Sequence, residues 1–185
     1  HNVMFREKYG NTVYLACDGS SWRKSVFKQY KAARKKTRDD SPLDWDYVFS
    51  VFKQIRDELA ETSPFKVLHV DNAEADDIIA VLVEQTQEFG QNEPVMIVSN
   101  DKDFLQLQKY SNVEQFSPMK NRIIKESNPY AYLQEHILRG DAGDGVPNFL
   151  SDDDTFVTDK RQKPLSKKRV EQLLNCSNIK DELNE

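Results

Sequence analysis

Phe65-Lys66-Val67-Leu68-His69-Val70 runs into Asp71-Asn72-Ala73-Glu74-Ala75-Asp76-Asp77 and then into the apolar stretch Ile78–Val83. A short apolar run, an acidic loop and a helical stretch in that order read as strand, loop and helix. The pattern recurs downstream, where Pro94-Val95-Met96-Ile97-Val98 leads to Ser99-Asn100-Asp101-Lys102-Asp103 and a helical turn over Phe104–Gln108. Upstream, Val13-Tyr14-Leu15-Ala16-Cys17 ends at Asp18-Gly19-Ser20. Strands alternating with helices predict right-handed βαβ units: an α/β fold with a mainly parallel central sheet flanked by helices. Ligands of such sheets sit beyond the carboxyl ends of the strands, where all three acidic segments begin.

The rest of the chain adds helices. Ser21–Lys36 has helix-compatible composition, with Trp22, Val26, Phe27 and Tyr30 among basic residues. Ser41 reads as an N-cap followed by Pro42 at the first helical position. Trp45, Val48, Phe49, Phe52, Ile55 and Leu59 then form one apolar helical face. Tyr130–Arg139 reads as a helix stopped by Gly140, and a last helix is expected near Lys167–Leu174. Residues 1–150 are expected to form one domain, and residues 151–185 a partial helical region.

Composition excludes several classes. The 38% of hydrophobic residues in 185 supports one core, so a wholly disordered chain is ruled out. No apolar run approaches the ~20 residues of a membrane helix, and no signal peptide is visible at the N-terminus. Cys17 and Cys176 form no CxxC pair, which fits a reducing cytosol. Lys180-Asp181-Glu182-Leu183 is followed by two residues, so it is not a retention signal. The sequon Asn175-Cys176-Ser177 reads as chance in such a chain. Phosphate loops, GxGxxG, HExxH and GxSxG are all absent.

The net charge of −5 hides a segregation. Arg23, Lys24, Lys28, Lys31, Arg34, Lys35, Lys36 and Arg38 follow one another with no acid between them, leaving −13 for the remainder. Lys160, Arg161, Lys163, Lys167, Lys168 and Arg169 make a second basic stretch. Basic segments suit phosphates, and interleaved aromatic residues suit stacking on single strands. The acids are Asp18, then Glu74, Asp76 and Asp77, then Asp101 and Asp103, then Asp141 and Asp144. Taken singly, each reads as a turn or helix-cap residue. Together at one sheet edge they would repel, and divalent cations with oxygen ligands offset that repulsion. A pair of such ions suits phosphodiester cleavage by water.

Glu74-Ala75-Asp76-Asp77, Ser99-Asn100-Asp101-Lys102-Asp103-Phe104-Leu105-Gln106-Leu107 and Gly140-Asp141-Ala142-Gly143-Asp144-Gly145-Val146-Pro147 resemble, in order, three motifs of the 5′-nuclease (flap endonuclease) superfamily. Tyr30-Lys31-Ala32-Ala33-Arg34 resembles the sequence of its helical arch, here about residues 21–44. Asp44-Trp45-Asp46 and Phe116-Ser117-Pro118-Met119 resemble its ribonuclease H branch from T-even bacteriophages. The resemblance covers about residues 10–150 and implies a PIN-like fold.

It further implies a Mg²⁺-dependent enzyme, with Mn²⁺ as a substitute, that removes RNA primers and 5′ flaps during replication. Asp18, Glu74, Asp76, Asp101 and Asp103 would serve a first ion; Asp77, Asp141 and Asp144 a second. Lys31 and Arg34 would steer the scissile phosphate and Tyr30 would stack on a base. Arg23, Lys24, Lys28, Lys35, Lys167 and Lys168 would bind the nucleic acid. The implied partners are DNA and RNA–DNA hybrids with 5′ ends or flaps, a single-strand DNA-binding protein and a sliding clamp. The implied setting is the cytoplasm, that of a host cell for a phage protein.

Two departures stand out. The family carries a further metal-binding Asp on a strand before the one ending at Asp18, and none of the 17 residues before Asp18 is Asp. Gly145 stands where the family usually has Asn, and the glycine-rich hairpin expected next is replaced by Asp152-Asp153-Asp154 and the second basic stretch. The rival readings are a PIN-like single-strand ribonuclease and a non-catalytic module binding branched DNA.

Overall fold

The structure is a computed structural model that describes residues 2–158 and 160–175. Cys176, most of the sequon and Lys180–Leu183 lie outside the described residues. In chain order the helices and strands are α1 (Asn2–Tyr9), β1 (Tyr14–Cys17), α2 (Arg23–Val26), α3 (Ala32–Asp39) and α4 (Trp45–Thr62). There follow β2 (Lys66–His69), α5 (Ala75–Glu84), β3 (Val95–Val98), β4 (Val113–Ser117), β5 (Arg122–Ile124), α6 (Pro129–Arg139) and α7 (Lys167–Asn175). A π-helical turn over Gln85–Phe89 extends α5, and Asp103–Lys109 is a 3-10 helix.

The chain divides into two compact units. The first holds the residues up to Trp22 and Pro42–Pro129; the second holds Arg23–Ser41 and the residues from Tyr130 on. Within the second unit, Tyr30, Lys31 and Arg34 are bonded to Gly143 and Asp144, far along the chain. Charge follows the same division. The first unit has ten basic against eighteen acidic residues, and the second has sixteen against thirteen.

Within the first unit the parallel pairing is present, but in two sheets. β1 pairs with β2 with Leu15 opposite Val67, and β3 pairs with β4 with Ile97 opposite Gln115. β5 adds an antiparallel edge to β4, a hairpin beyond the expected parallel strands. Asn121, in the left-handed region at φ 49°, sits in its turn, a conformation that Asn tolerates better than most residues. The core is Val83, Ile97, Phe104, Leu107 and Val113, with Ile79 and Ala80 of α5 packed against it. α5 also packs on β1, so this one helix touches both sheets.

The ends of unit one show what local chemistry decides. α4 starts later than expected: Asp44, not Ser41, is its N-cap, with Oδ1 accepting the Tyr47 N–H at 3.0 Å. The cap belongs to the acid because its carboxylate reaches the third helical amide. The apolar face of α4 is largely open, with Phe49 50%, Phe52 60% and Ile55 47% exposed. α1 packs on β3. Phe5 meets Phe116 edge-on, and Lys8 and Tyr9 both donate to Glu114. Those two hydrogen bonds hold the Glu114 carboxyl below its ordinary range.

In the second unit α6 and α7 share a small core of Leu138, Val170 and Leu173, flanked by Phe149 and Leu165. Asn148 ties the segment between them together, with its N–H donating to Gln162 Oε1 at 2.7 Å and its Nδ2 to the Lys163 carbonyl at 2.8 Å. Among the described residues, no helix is long and apolar enough to cross a membrane.

Candidate functional site

Asp18 leaves the carboxyl end of β1, and its Oδ1 accepts the N–H of Ala75, the first residue of α5, at 2.9 Å. Gly19 permits this approach. Its N–H donates to the Ala73 carbonyl at 2.8 Å, and a Cβ there would lie 2.6 Å from the Val70 carbonyl oxygen. Backbone cannot move aside as a flexible side chain can. Gly19→Ala is therefore expected to destabilise the protein by about 2 kcal/mol or more, read as a fall in Tm. A variant with the parental Tm would show that the loop adapts.

Glu74 precedes α5 and is buried at 8% exposure, with Oε2 accepting from the Ser21 hydroxyl at 2.7 Å. Asp77 Oδ2 accepts the Glu74 N–H at 2.9 Å, closing the first turn, and half-buried Asp76 shares that turn. Four carboxylates thus gather at one helix N-terminus, whose macrodipole amounts to roughly half a positive charge. That half-charge offsets only a fraction of the four. The donors are all hard oxygens, a set that fits a hard divalent cation.

Asp101 and Asp103 occupy the loop after β3. The Asp101 N–H donates to Ser99 Oγ at 3.1 Å, and the Asp103 N–H donates to Asp101 Oδ1 at 2.9 Å. Asp103 opens the 3-10 helix, which packs against both α5 and β4. Beside Asp18, burial pushes the Cys17 thiol up; Arg56 opposes that shift and the Asp18 charge adds to it. The thiol is therefore held in its protonated, unreactive form.

The remaining two predicted acids lie in the second unit. Asp141 forms an antiparallel bridge with Val146, two hydrogen bonds of 2.8 Å each, and its Oδ1 accepts the Asp144 N–H at 3.1 Å. His136, stacked on Tyr132, places Nε2 3.8 Å from Asp141 Oδ2. Asp144 is the centre of a cluster. It accepts from the Tyr30 hydroxyl at 3.0 Å and from Arg34 Nη2 at 2.7 Å, and Lys31 Nζ lies 3.6 Å away. Backbone bonds lock the same contact: Lys31 N–H donates to the Asp144 carbonyl at 2.7 Å, and Arg34 Nε to the Gly143 carbonyl at 3.2 Å.

This cluster corrects one expectation. Ser21–Lys36 is not one helix: α2 and α3 are separated by a turn in which Lys31 takes a left-handed backbone, φ 54°. Such a conformation is unfavourable for a non-glycine residue and persists where its surroundings impose it. Tyr30 is buried at 6% exposure, with its hydroxyl on Asp144 and Lys31 Nζ 4.8 Å from its ring centroid. Gly145 also finds its reason here. Its φ is +76°, and a Cβ would sit 2.9 Å from the Gln29 carbonyl oxygen.

The other expected nucleic-acid residues are on the surface. Lys24, Lys28 and Lys35 are exposed, and Arg23 is half-buried over the Tyr30 ring at 5.9 Å. Lys167 and Lys168 are exposed on the first turn of α7. Sequence reasoning missed Ser21, Asn72 and Gln115. Asn72 was legible in kind: Asn after a strand suits its left-handed φ of 61°, and its Oδ1 accepts from Ser20 Oγ at 2.8 Å.

The family described as 5′-3′ exonuclease, N-terminal resolvase-like domain, matches residues 2–135. Ribonuclease H of Enterobacteria phage T4 is 35% identical over 163 residues, covering 85% of this chain and 53% of the relative. A 5′-3′ exonuclease of Buchnera aphidicola subsp. Acyrthosiphon pisum is 29% identical over 79% of this chain and 51% of its own. This chain thus spans about half the length of the curated relatives it matches. In structure, a T5 5′-exonuclease with divalent zinc ions bound superposes with a TM-score of 0.72 at 18% identity, covering 98% of this chain and 66% of the other. A T5 flap endonuclease in complex with DNA and metal ions gives 0.64 at 18% identity, covering 92% and 71%.

Proposed function

Because this chain belongs to the 5′-3′ exonuclease family with a resolvase-like N-terminal domain, we propose that it is a divalent-metal-dependent 5′-nuclease acting on RNA primers and 5′ flaps. Its substrates in this reading are DNA and RNA–DNA hybrids with 5′ ends. Mg²⁺ is the proposed resident ion and Mn²⁺ a working substitute. The reaction is phosphodiester hydrolysis that leaves 5′-phosphate products.

The observation that carries the reading is the gathering of Asp18, Glu74, Asp76 and Asp77 at the start of α5. Buried Glu74 is held by Ser21, and Asp18 is held by the Ala75 amide. Bound divalent ions would supply the positive charge that acidifies water and stabilises a leaving oxygen. Asp18, Glu74 and Asp76, with Asp101 and Asp103, are the proposed holders of that charge. Asp77 supports them by closing the helix turn, and Asp141 orients Asp144 through its amide. In this reading Lys31 and Arg34 exchange Asp144 for a phosphate of the strand. The pairing with Asp144 keeps both cations neutralised before the substrate arrives, and the exchange costs the breaking of a partly buried pair. Lys24, Lys28, Lys35, Lys167 and Lys168 supply phosphate contacts to the surrounding backbone.

The test is cleavage of a 5′-labelled flap and of an RNA–DNA duplex at enzyme excess, in Mg²⁺ and in chelator. Short 5′ products that need Mg²⁺ are expected. Cleavage of RNA hairpins but not flaps would favour a PIN-like ribonuclease. Structure-specific binding that is unchanged by Mg²⁺ and never followed by cleavage would favour a non-catalytic branched-DNA module.

A further inference from the structure

We propose that Gln115 is a positioning residue for Asp101 and Asp103, acting by clamping the backbone that carries them. The inference rests on the functional reading above, since it takes those two acids as metal holders. Gln115 is the third residue of β4 and is fully buried at 0% exposure. Its Nε2 donates to two carbonyls of the acidic loop, Ser99 at 3.0 Å and Asp101 at 2.5 Å. That pairing fixes the orientation of the amide, because the flipped form would face its oxygen to two carbonyl oxygens.

The consequence is unusual for a core position. Among the described residues, Gln115 Oε1 is a buried side-chain oxygen with no hydrogen-bond partner. A buried unpaired acceptor is unfavourable, and Met or Leu would fill similar space without one. Burial alone therefore does not account for a glutamine here. What the amide supplies is geometry: it pins the carbonyl just after β3 and the carbonyl of Asp101 to one point.

Neighbouring bonds serve the same loop. The Ser99 N–H donates to the Phe116 carbonyl at 3.0 Å. Asn100 Oδ1 accepts from the Ser117 hydroxyl at 2.8 Å and from the Met119 N–H at 3.0 Å. Residues 99, 100 and 101 are thus each bonded to β4 or to the turn after it. Asp101 then orients Asp103 by accepting its N–H. Groups that hold metal ligands in place typically control metal affinity by roughly 10- to 100-fold.

The experiment compares Gln115→Met with Gln87→Met in the full chain. Gln87 is a second buried glutamine of the same unit, 8% exposed, bonded to the Glu93 carbonyl and remote in sequence from the acidic loop. Mn²⁺ affinity is measured by the paramagnetic resonance of free Mn²⁺, without nucleic acid, and Tm is measured alongside. Gln115→Met is expected to bind Mn²⁺ roughly 10- to 100-fold more weakly, while Gln87→Met binds like the parent whatever its Tm. Unchanged affinity in folded Gln115→Met overturns the inference, as does equal weakening in both variants. If Gln115→Met does not fold, Gln115→Asn keeps a buried amide and draws its donor back from both carbonyls: weakened Mn²⁺ binding supports the clamp and parental binding overturns it. A parent that binds no Mn²⁺ overturns the functional reading itself, whereas a parent that binds beside an equally competent Gln115→Met overturns the clamp alone.

Discussion

Asp103→Asn is expected to lower the cleavage rate on a 5′-labelled flap by about 10³-fold, equivalent to ~4 kcal/mol of transition-state stabilisation. The substitution keeps the size of the side chain and removes one negative charge. The backbone bond that orients the residue, from its N–H to Asp101 Oδ1, survives because it uses no atom of the replaced group. The 3-10 helix that Asp103 opens also keeps its buried anchors Phe104, Leu105 and Leu107. Tm should therefore stay near the parental value while the rate falls, which separates loss of charge from loss of fold. Single-turnover rates across a Mg²⁺ titration, with chelator as the zero point, provide the measurement. A variant within tenfold of the parent at every Mg²⁺ concentration would remove Asp103 from the proposed site.

Lys31→Ala and Arg34→Ala are each expected to reduce cleavage by roughly 10²- to 10³-fold, the usual effect of deleting one electrostatic stabiliser of a transition state. Duplex binding should change far less, since many other basic residues remain. Two structural facts shape the controls. Both side chains contact Asp144, so Asp144→Asn tells whether they act through that carboxylate. Lys31 also holds a left-handed backbone, so Lys31→Gly relieves strain that Lys31→Ala keeps. Equal loss in the two Lys31 variants assigns the effect to the ammonium group. Equal loss of binding and cleavage, or no loss of either, would show that these cations do not act on the reacting phosphate. Binding itself should weaken steeply with salt, because phosphate neutralisation releases counterions.

Most of the regular structure was legible where the pattern was local. β1, β2, β3, α5, α6 and α7 fall where short apolar runs, helical spacing and the stop at Gly140 place them. The errors arose where local signals competed. Ser41 and Asp44 both offer an N-cap, and only the geometry of the Tyr47 amide decides for Asp44. The β4–β5 hairpin escaped because its strands carry Glu114, Gln115 and Arg122 at positions that break a simple alternation of apolar and polar residues. Composition favoured a helix through Tyr30 and Lys31, and a contact far along the chain interrupts it.

The sequence by itself determined the α/β class, the family and the loops that carry the acids, because strand periodicity, helix caps and motif spacing are properties of neighbouring residues. Only the tertiary structure decided that the strands form two sheets, that Arg23–Ser41 belongs with the residues from Tyr130 on, and that Tyr30, Lys31 and Arg34 converge on Asp144. It also decided that a core glutamine clamps an acidic loop. These are pairings between groups up to 114 positions apart. Their formation depends on burial and on satisfying donors and acceptors across the fold, and no local pattern encodes which distant partner a polar group finds.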